Sequence, residues 1–222
     1  LHAAGVRPFV INTHWQAHAY QRTFPDSLWK GCPLVFSHET PEVLETAGGL
    51  LHASAHLPPC EPFWVYNGDI LSTLPLASAW AAHCEAKNEI TLVLRSSGGP
   101  LHVLRDPLSG RILDIGRRLL PDREPLHLFT GIYLVDPAFL ARIPAATKLS
   151  VIPIFIEMIR QNARIGSAVV NEGHWWDLGA REQILDVHSQ LAAHLATQPA
   201  EAPERGPIDL SAAFAPGPWT VS

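Results

Sequence analysis

"FWVYNGDIL" occupies positions 63–71: four bulky apolar or aromatic residues, then Asn67-Gly68-Asp69, then Ile70 and Leu71. Aromatic and β-branched residues favour a strand, and Asn-Gly-Asp is turn chemistry that ends one. A strand built for an interior therefore runs into a carboxylate. Gly68 lets the backbone turn sharply or approach a ligand closely. In open α/β sheets ligands gather beyond the carboxyl ends of the strands. Asp69 is thus a candidate site residue if the rest of the chain builds such a sheet.

The neighbouring stretches predict that it does. "RPFVIN", "PLVFSHE", "EITLVLRS" and "LHLFTGIYLVD" read as buried strands. Helices are predicted over "HWQAHAYQRTF" (with Trp15, His18, Ala19 and Arg22 on one face), "AGGLLHASAHL" capped by Thr46, residues 76–86, "SVIPIFIEMIRQNA" and "AREQILDVHSQLAAHLA". "LHVLRD" and "RILDIG" form a hairpin around "PLSG". Alternating strands and helices predict an α/β fold with a mostly parallel sheet, and near-continuous apolar runs fit strands covered on both faces. The predicted domain spans 1–195. From 196 to 222 the chain is rich in Pro and Ala and reads as a flexible tail.

The totals exclude several classes. A chain of 222 residues, 47 % hydrophobic, can bury one sizeable core. A net charge of −5 without a basic block gives nucleic acid no electrostatic footprint. No apolar run approaches the roughly 20 residues of a membrane helix. Cys32, Cys60 and Cys84 are too few and too scattered for a disulfide framework or zinc site, which fits a reducing cytoplasm. His14/His18 and His52/His56 have the four-residue spacing of a two-histidine face but no acidic third ligand.

A second stretch repeats the opening pattern. "GHWWDLGAREQ" (173–183) runs from bulky residues into Asp177, with Gly179 close behind, about a hundred residues after Asp69. Asp177 has a plain reading as a helix cap. Two carboxylates meeting at a sheet edge would instead make an oxygen-rich site for Mg²⁺, which takes one or two carboxylates and fills its shell with water and phosphate.

"ETPEVLETAGGLLHASAHL", "FWVYNGDIL", "FTGIYLVDP" and "WWDLGAREQIL", in that order, resemble the sugar-1-phosphate nucleotidyltransferases, and most nearly the N-acetylmuramate-1-phosphate uridylyltransferases and mannose-1-phosphate guanylyltransferase-like proteins. The resemblance implies a Rossmann-like, mostly parallel mixed sheet flanked by helices. It implies a cytoplasmic enzyme that joins a sugar 1-phosphate to an NTP, UTP or GTP, releasing pyrophosphate; whether it assembles into an oligomer is left open. Asp69 and Asp177 would hold Mg²⁺. Gly48 and Gly49 would lie against the nucleotide, with Glu45 and Asn67 as further candidates there. Thr130, Gly131 and Trp176 would line the sugar pocket. Arg117 and Lys148 are weaker candidates for anion contacts.

The sequence also departs from that family. Its Gly-rich N-terminal segment, approximately GxG(T/S)RxxPxT, has no counterpart, and "LHAAGVRPFV" matches the end of the family's first helix and its second strand. The expectation is a domain lacking its first, mid-sheet strand and the triphosphate cradle, inactive by itself. Two other readings remain. One is a non-catalytic regulatory or assembly subunit of the same fold. The other is a glycosyltransferase using an NDP-sugar, against which stands the absence of Asp-x-Asp after Asp69.

Overall fold

The computed structural model describes residues 1–2, 5–145 and 148–197, with backbone alone for 191–197. The tail from 198 onward, and part of the helix end expected at "LHAAG", lie outside the described residues. The elements run β1 (Phe9–Thr13), α1 (Ala17–Thr23), β2 (Leu28–Trp29), β3 (Cys32–His38), α2 (Glu45–Ala53), β4 (Phe63–Tyr66), β5 (Ile70–Ser72) and α3 (Ala77–Ala86). There follow β6 (Ile90–Arg95), β7 (Val103–Arg105), β8 (Ile112–Ile115), β9 (Leu128–Val135), α4 (Val151–Arg160), β10 (Ile165–Val169), β11 (Trp175–Asp177) and α5 (Arg181–Thr197). The chain divides into two units, Leu1–Gly179 and Ala180–Ser222. In the second, α5 opens with the Ala180 amide donating to Gln183 Oε1.

β6 shows why the apolar runs become a central sheet. Side chains alternate faces along a strand. Ile90, Leu92 and Leu94 join one apolar cluster with Phe155 and Met158 of α4, while Val93 joins another with Leu76 and with Ala79 of α3. Both faces are covered, and burying each large apolar side chain stabilises by about 1.5–3 kcal/mol. The strand order is β10-β6-β9-β4, with β10 parallel to β6 and β9 antiparallel to both neighbours. A second sheet has the order β1-β3-β2, β1 and β3 being parallel. Among the described residues β1 pairs only with β3 and β4 only with β9. Alternation predicted one mostly parallel sheet, whereas among the described residues the central sheet is mixed, with antiparallel pairs on both sides of β9, and β1-β3-β2 stands apart from it.

Several local expectations change. Thr46 does not cap α2, which begins at Glu45 without a side-chain cap. The amides of Ala47 and Gly48 donate instead to the Leu149 carbonyl, satisfying donors that a helix start leaves free. The Thr46 hydroxyl accepts from Val151 N, so it caps α4 together with Ser150, whose side chain accepts from Ile152 N. In α1 the expected face is not a core face: Trp15, His18 and Arg22 are exposed, and Tyr20 and Phe24 are the residues that meet Phe36.

Candidate active site

The site is built on an irregularity in β9. Leu92 pairs with Tyr133 and Leu94 with Phe129, so β9 has extra residues opposite Val93 and bulges there. The bulge holds Thr130 and Gly131. The fully buried Thr130 hydroxyl donates to Val93 O at 2.8 Å, replacing a ladder bond that the bulge removes. Gly131 sits at φ +76°, where a side chain is disfavoured, and an added Cβ would meet Asn67 Nδ2 at 2.9 Å. The bulge re-aims two carbonyls: Thr130 O accepts from Trp175 Nε1 at 2.9 Å, and Gly131 O accepts from Asn67 N at 3.0 Å. One short segment of β9 therefore anchors the turn that carries Asp69 and the strand that carries Asp177.

Those two acids converge. The chain stops being a strand at Tyr66, turns through Asn67–Asp69 with Ile70 N donating to Asn67 O, and resumes as β5. β5 pairs antiparallel with β11, setting Ile70 opposite Asp177, and Leu178 N donates to Asp69 O at 2.7 Å. A Cβ placed on Gly179 would lie 3.0 Å from Asp177 Oδ1 and 3.5 Å from Asp69 Oδ2. The two carboxylate oxygens are therefore no farther apart than the sum of those distances, on the same side of the cleft. Gly179 N also donates to Asp177 Oδ1 at 2.8 Å, which orients that carboxylate.

The resulting cavity, about 250 Å³, is lined by Asn67, Asp69, Thr130, Gly131, Trp175 and Asp177, and by His102 with the Gly99-Pro100 loop. Its formal charges are two carboxylates with no lysine or arginine among the lining residues. Such a pocket favours a cation, and would repel phosphate without one. The His102 ring has both nitrogens committed: Nδ1 donates to Pro100 O at 2.9 Å, and Nε2 accepts from Phe129 N at 3.3 Å. Among the described residues no group of three or more His, Cys, Asp or Glu is placed to hold a metal. The donor set is two hard carboxylates in an open cleft, with a glycine where any side chain would fill the space between them. That suits Mg²⁺, which keeps waters and substrate oxygens as ligands.

No protein-family model matches the chain. Over 188 residues it is 29 % identical to the mannose-1-phosphate guanylyltransferase catalytic subunit beta of Drosophila melanogaster, covering 82 % of this chain and 49 % of that protein. It is 27 % identical over 187 residues to the N-acetylmuramate alpha-1-phosphate uridylyltransferase of Neisseria meningitidis serogroup B, covering 81 % of this chain and 76 % of that one. The chain is similar to sugar-1-phosphate nucleotidyltransferases. It spans about half the length of the fly relative, 49 %. The inositol-1-phosphate CTP transferase from T. maritima superposes with a TM-score of 0.68 at 15 % identity, covering 90 % of this chain and 81 % of that one. The fold is therefore of the nucleotide-diphospho-sugar transferase type.

Of the candidates singled out in the sequence, Asn67, Asp69, Thr130, Gly131 and Asp177 line this one cavity, whereas Glu45, Gly48, Gly49, Trp176, Arg117 and the exposed Lys148 do not. Trp176 lies outside its lining and stacks on His174, with ring centroids 5.2 Å apart. Trp175 takes the cavity position, because residues two apart on β11 share a face with Asp177. Glu45 is exposed at the start of α2, at φ +60°. Gly48 and Gly49 are buried inside α2, and a Cβ on Gly49 would meet Asn12 Nδ2 of β1 and the Oε1 of Glu39, the residue just after β3. No local pattern marks His102, and Gly179 stands out in the sequence only as the glycine close behind Asp177. Arg117 is ion-paired with Glu124 on the surface.

Proposed function

We propose that the chain carries the sugar-binding and cation-binding part of a Mg²⁺-dependent sugar-1-phosphate nucleotidyltransferase, which makes an NDP-sugar and pyrophosphate from an NTP and a sugar 1-phosphate. The observation that carries the reading is the approach of Asp69 and Asp177 in one cavity beside an indole face and a glycine bulge. The similarity to sugar-1-phosphate nucleotidyltransferases supports the reaction class.

Asp69 and Asp177 would hold the cation, which when bound supplies charge neutralisation between two anionic substrates. Two like unit charges about 4 Å apart repel by about 4 kcal/mol at an effective dielectric near 20. That equals roughly a thousandfold in rate. Trp175, locked by its bond to Thr130 O, offers a flat apolar face to pyranose C–H groups. Asn67, held through its amide by Gly131 O, points its side chain at the same bulge. No protein nucleophile is required, because a sugar phosphate is already anionic near neutral pH; the residues position and orient. UTP or GTP, with an amino sugar or muramic acid phosphate, are the substrate pairs to try first. The test is the full-length natural protein with Mg²⁺, four NTPs and a panel of sugar 1-phosphates, reading pyrophosphate release. Release with one pair, cut at least roughly 100-fold by Asp69→Asn or Asp177→Asn, is expected. No release with any pair would favour a regulatory subunit instead.

A further inference from the structure

β11 carries Asp177, yet among the described residues its ladder partner is β5 alone, in a two-stranded sheet separate from the four-stranded one. One tie to the main sheet is the Trp175 Nε1 bond to Thr130 O of β9, and the connection leading into β11 supplies a second. The connection from β10 to β11, residues 170–174, is gripped from two sides. On one side Gly173, at φ +73°, approaches Thr73 so closely that a Cβ would lie 2.7 Å from Thr73 O. There Thr73 N donates to His174 O, and Thr73 Oγ1 accepts from His174 N.

On the other side stands Arg95, the last residue of β6. Its Nη1 faces three backbone carbonyls of the connection: Val170 O at 3.3 Å, Glu172 O at 3.4 Å and Gly173 O at 3.5 Å. The next residue continues the grip, Ser96 N donating to Asn171 Oδ1 at 2.9 Å. One cation among three carbonyl dipoles is a charge–dipole clamp rather than three full hydrogen bonds. A guanidinium suits it because it is planar and permanently charged. Arg95 Nε is buried without a hydrogen-bond partner, a cost that packing alone does not explain. The clamp also lies behind the aromatic wall: a Cβ on Gly98 would be 3.8 Å from Arg95 Nε and 3.7 Å from Trp175 Cε3.

We propose that Arg95 is a positioning residue for the cation site. By holding the carbonyls of Val170, Glu172 and Gly173, it sets where β11 begins, and so keeps the Asp177 carboxylate at bridging distance from Asp69. The proposal rests on the reading that these two acids share a divalent cation.

The test titrates this chain with Mn²⁺, followed by electron paramagnetic resonance, alongside thermal melting. Four proteins are compared: wild type, Asp177→Asn, Arg95→Ala and Arg95→Lys. Asp177→Asn should lose the site. Arg95→Ala should weaken Mn²⁺ binding about 10- to 100-fold, as loss of a residue supporting metal ligands does. Arg95→Lys keeps the charge without the fork and should lie between Arg95→Ala and the wild type. A residue serving stability alone would lower the melting temperature and leave Mn²⁺ affinity of the folded fraction unchanged. Wild-type affinity in Arg95→Ala, with the site lost in Asp177→Asn, overturns the role of Arg95. Should Arg95→Ala fail to fold, Arg95→Lys decides: weakened binding at unchanged melting supports the proposal, and wild-type binding overturns it. Wild-type affinity in Asp177→Asn would remove the shared-cation reading itself, and the role of Arg95 with it.

Discussion

Gly179→Ala separates the cation site from the fold in one methyl group. The added Cβ would stand 3.0 Å from Asp177 Oδ1 and 3.5 Å from Asp69 Oδ2, so Asp177 must yield by a few tenths of an ångström. Metal–ligand distances tolerate only about 0.2 Å. The displacement, plus the loss of space between the carboxylates, should therefore weaken Mg²⁺ or Mn²⁺ binding about 10- to 100-fold, or about 1.4–2.8 kcal/mol. Gly179 has no positive φ that alanine would strain, so the variant should fold with a stability change of about 1 kcal/mol or less. Gly68→Ala is the control. It changes the residue beside Asp69, yet its Cβ would meet nothing within 4 Å, so binding should stay as in the wild type. Mn²⁺ titration by paramagnetic resonance, with melting curves of all three proteins, reads both quantities. Wild-type Mn²⁺ affinity in a folded Gly179→Ala protein would refute the convergence of the two acids on one ion.

Three further outcomes are expected. In the full-length protein, Trp175→Ala should raise the KM for sugar 1-phosphate about 2- to 12-fold, the loss of an aromatic contact of about 0.5–1.5 kcal/mol. Trp176→Ala should leave it nearly unchanged; equal effects would show that the cavity face was misassigned. Gly131→Ala must force a left-handed backbone at about 1–2 kcal/mol, lowering the melting temperature by about 2–8 °C; an unchanged melting curve would contradict the bulge. Burial holds the His83 imidazole below its ordinary range, and its Nδ1 shares a hydrogen bond with Thr91 Oγ1. The folded protein thus binds this proton less readily than the unfolded chain, so stability should fall as pH drops below about 6.5 and hold steady above it. His83→Gln should flatten that slope, and parallel declines in the two proteins would disprove the cause.

The parts legible in the sequence were those written locally. An apolar run meeting an acid, once at Asp69 and once at Asp177, marked both carboxylates, and nearly unbroken apolar strands marked a sheet covered on both faces. The period-two rule could also have separated Trp175 from Trp176, since only the former shares a face with Asp177. What stayed hidden depends on partners distant along the chain. The Thr130–Gly131 bulge sits in an eight-residue apolar run that reads as a regular strand, and its register is set by β6. Gly49 is crowded by Asn12 and Glu39, so its lack of a side chain answers an internal contact that no local motif shows. Thr46 looks like a cap for the helix it precedes, yet it caps one that begins more than a hundred residues later. The pairing of β5 with β11 could not be read from either segment, because a three-residue strand carries too little pattern to choose a partner.

The most direct measurement is anomalous scattering from crystals of this protein grown with Mn²⁺. The account predicts one peak at the Asp69 end of the β5–β11 pair, within about 2.0–2.2 Å of an oxygen from each of Asp69 and Asp177. A peak bound by only one of these carboxylates, or no peak there while Mn²⁺ occupies other sites, would contradict it.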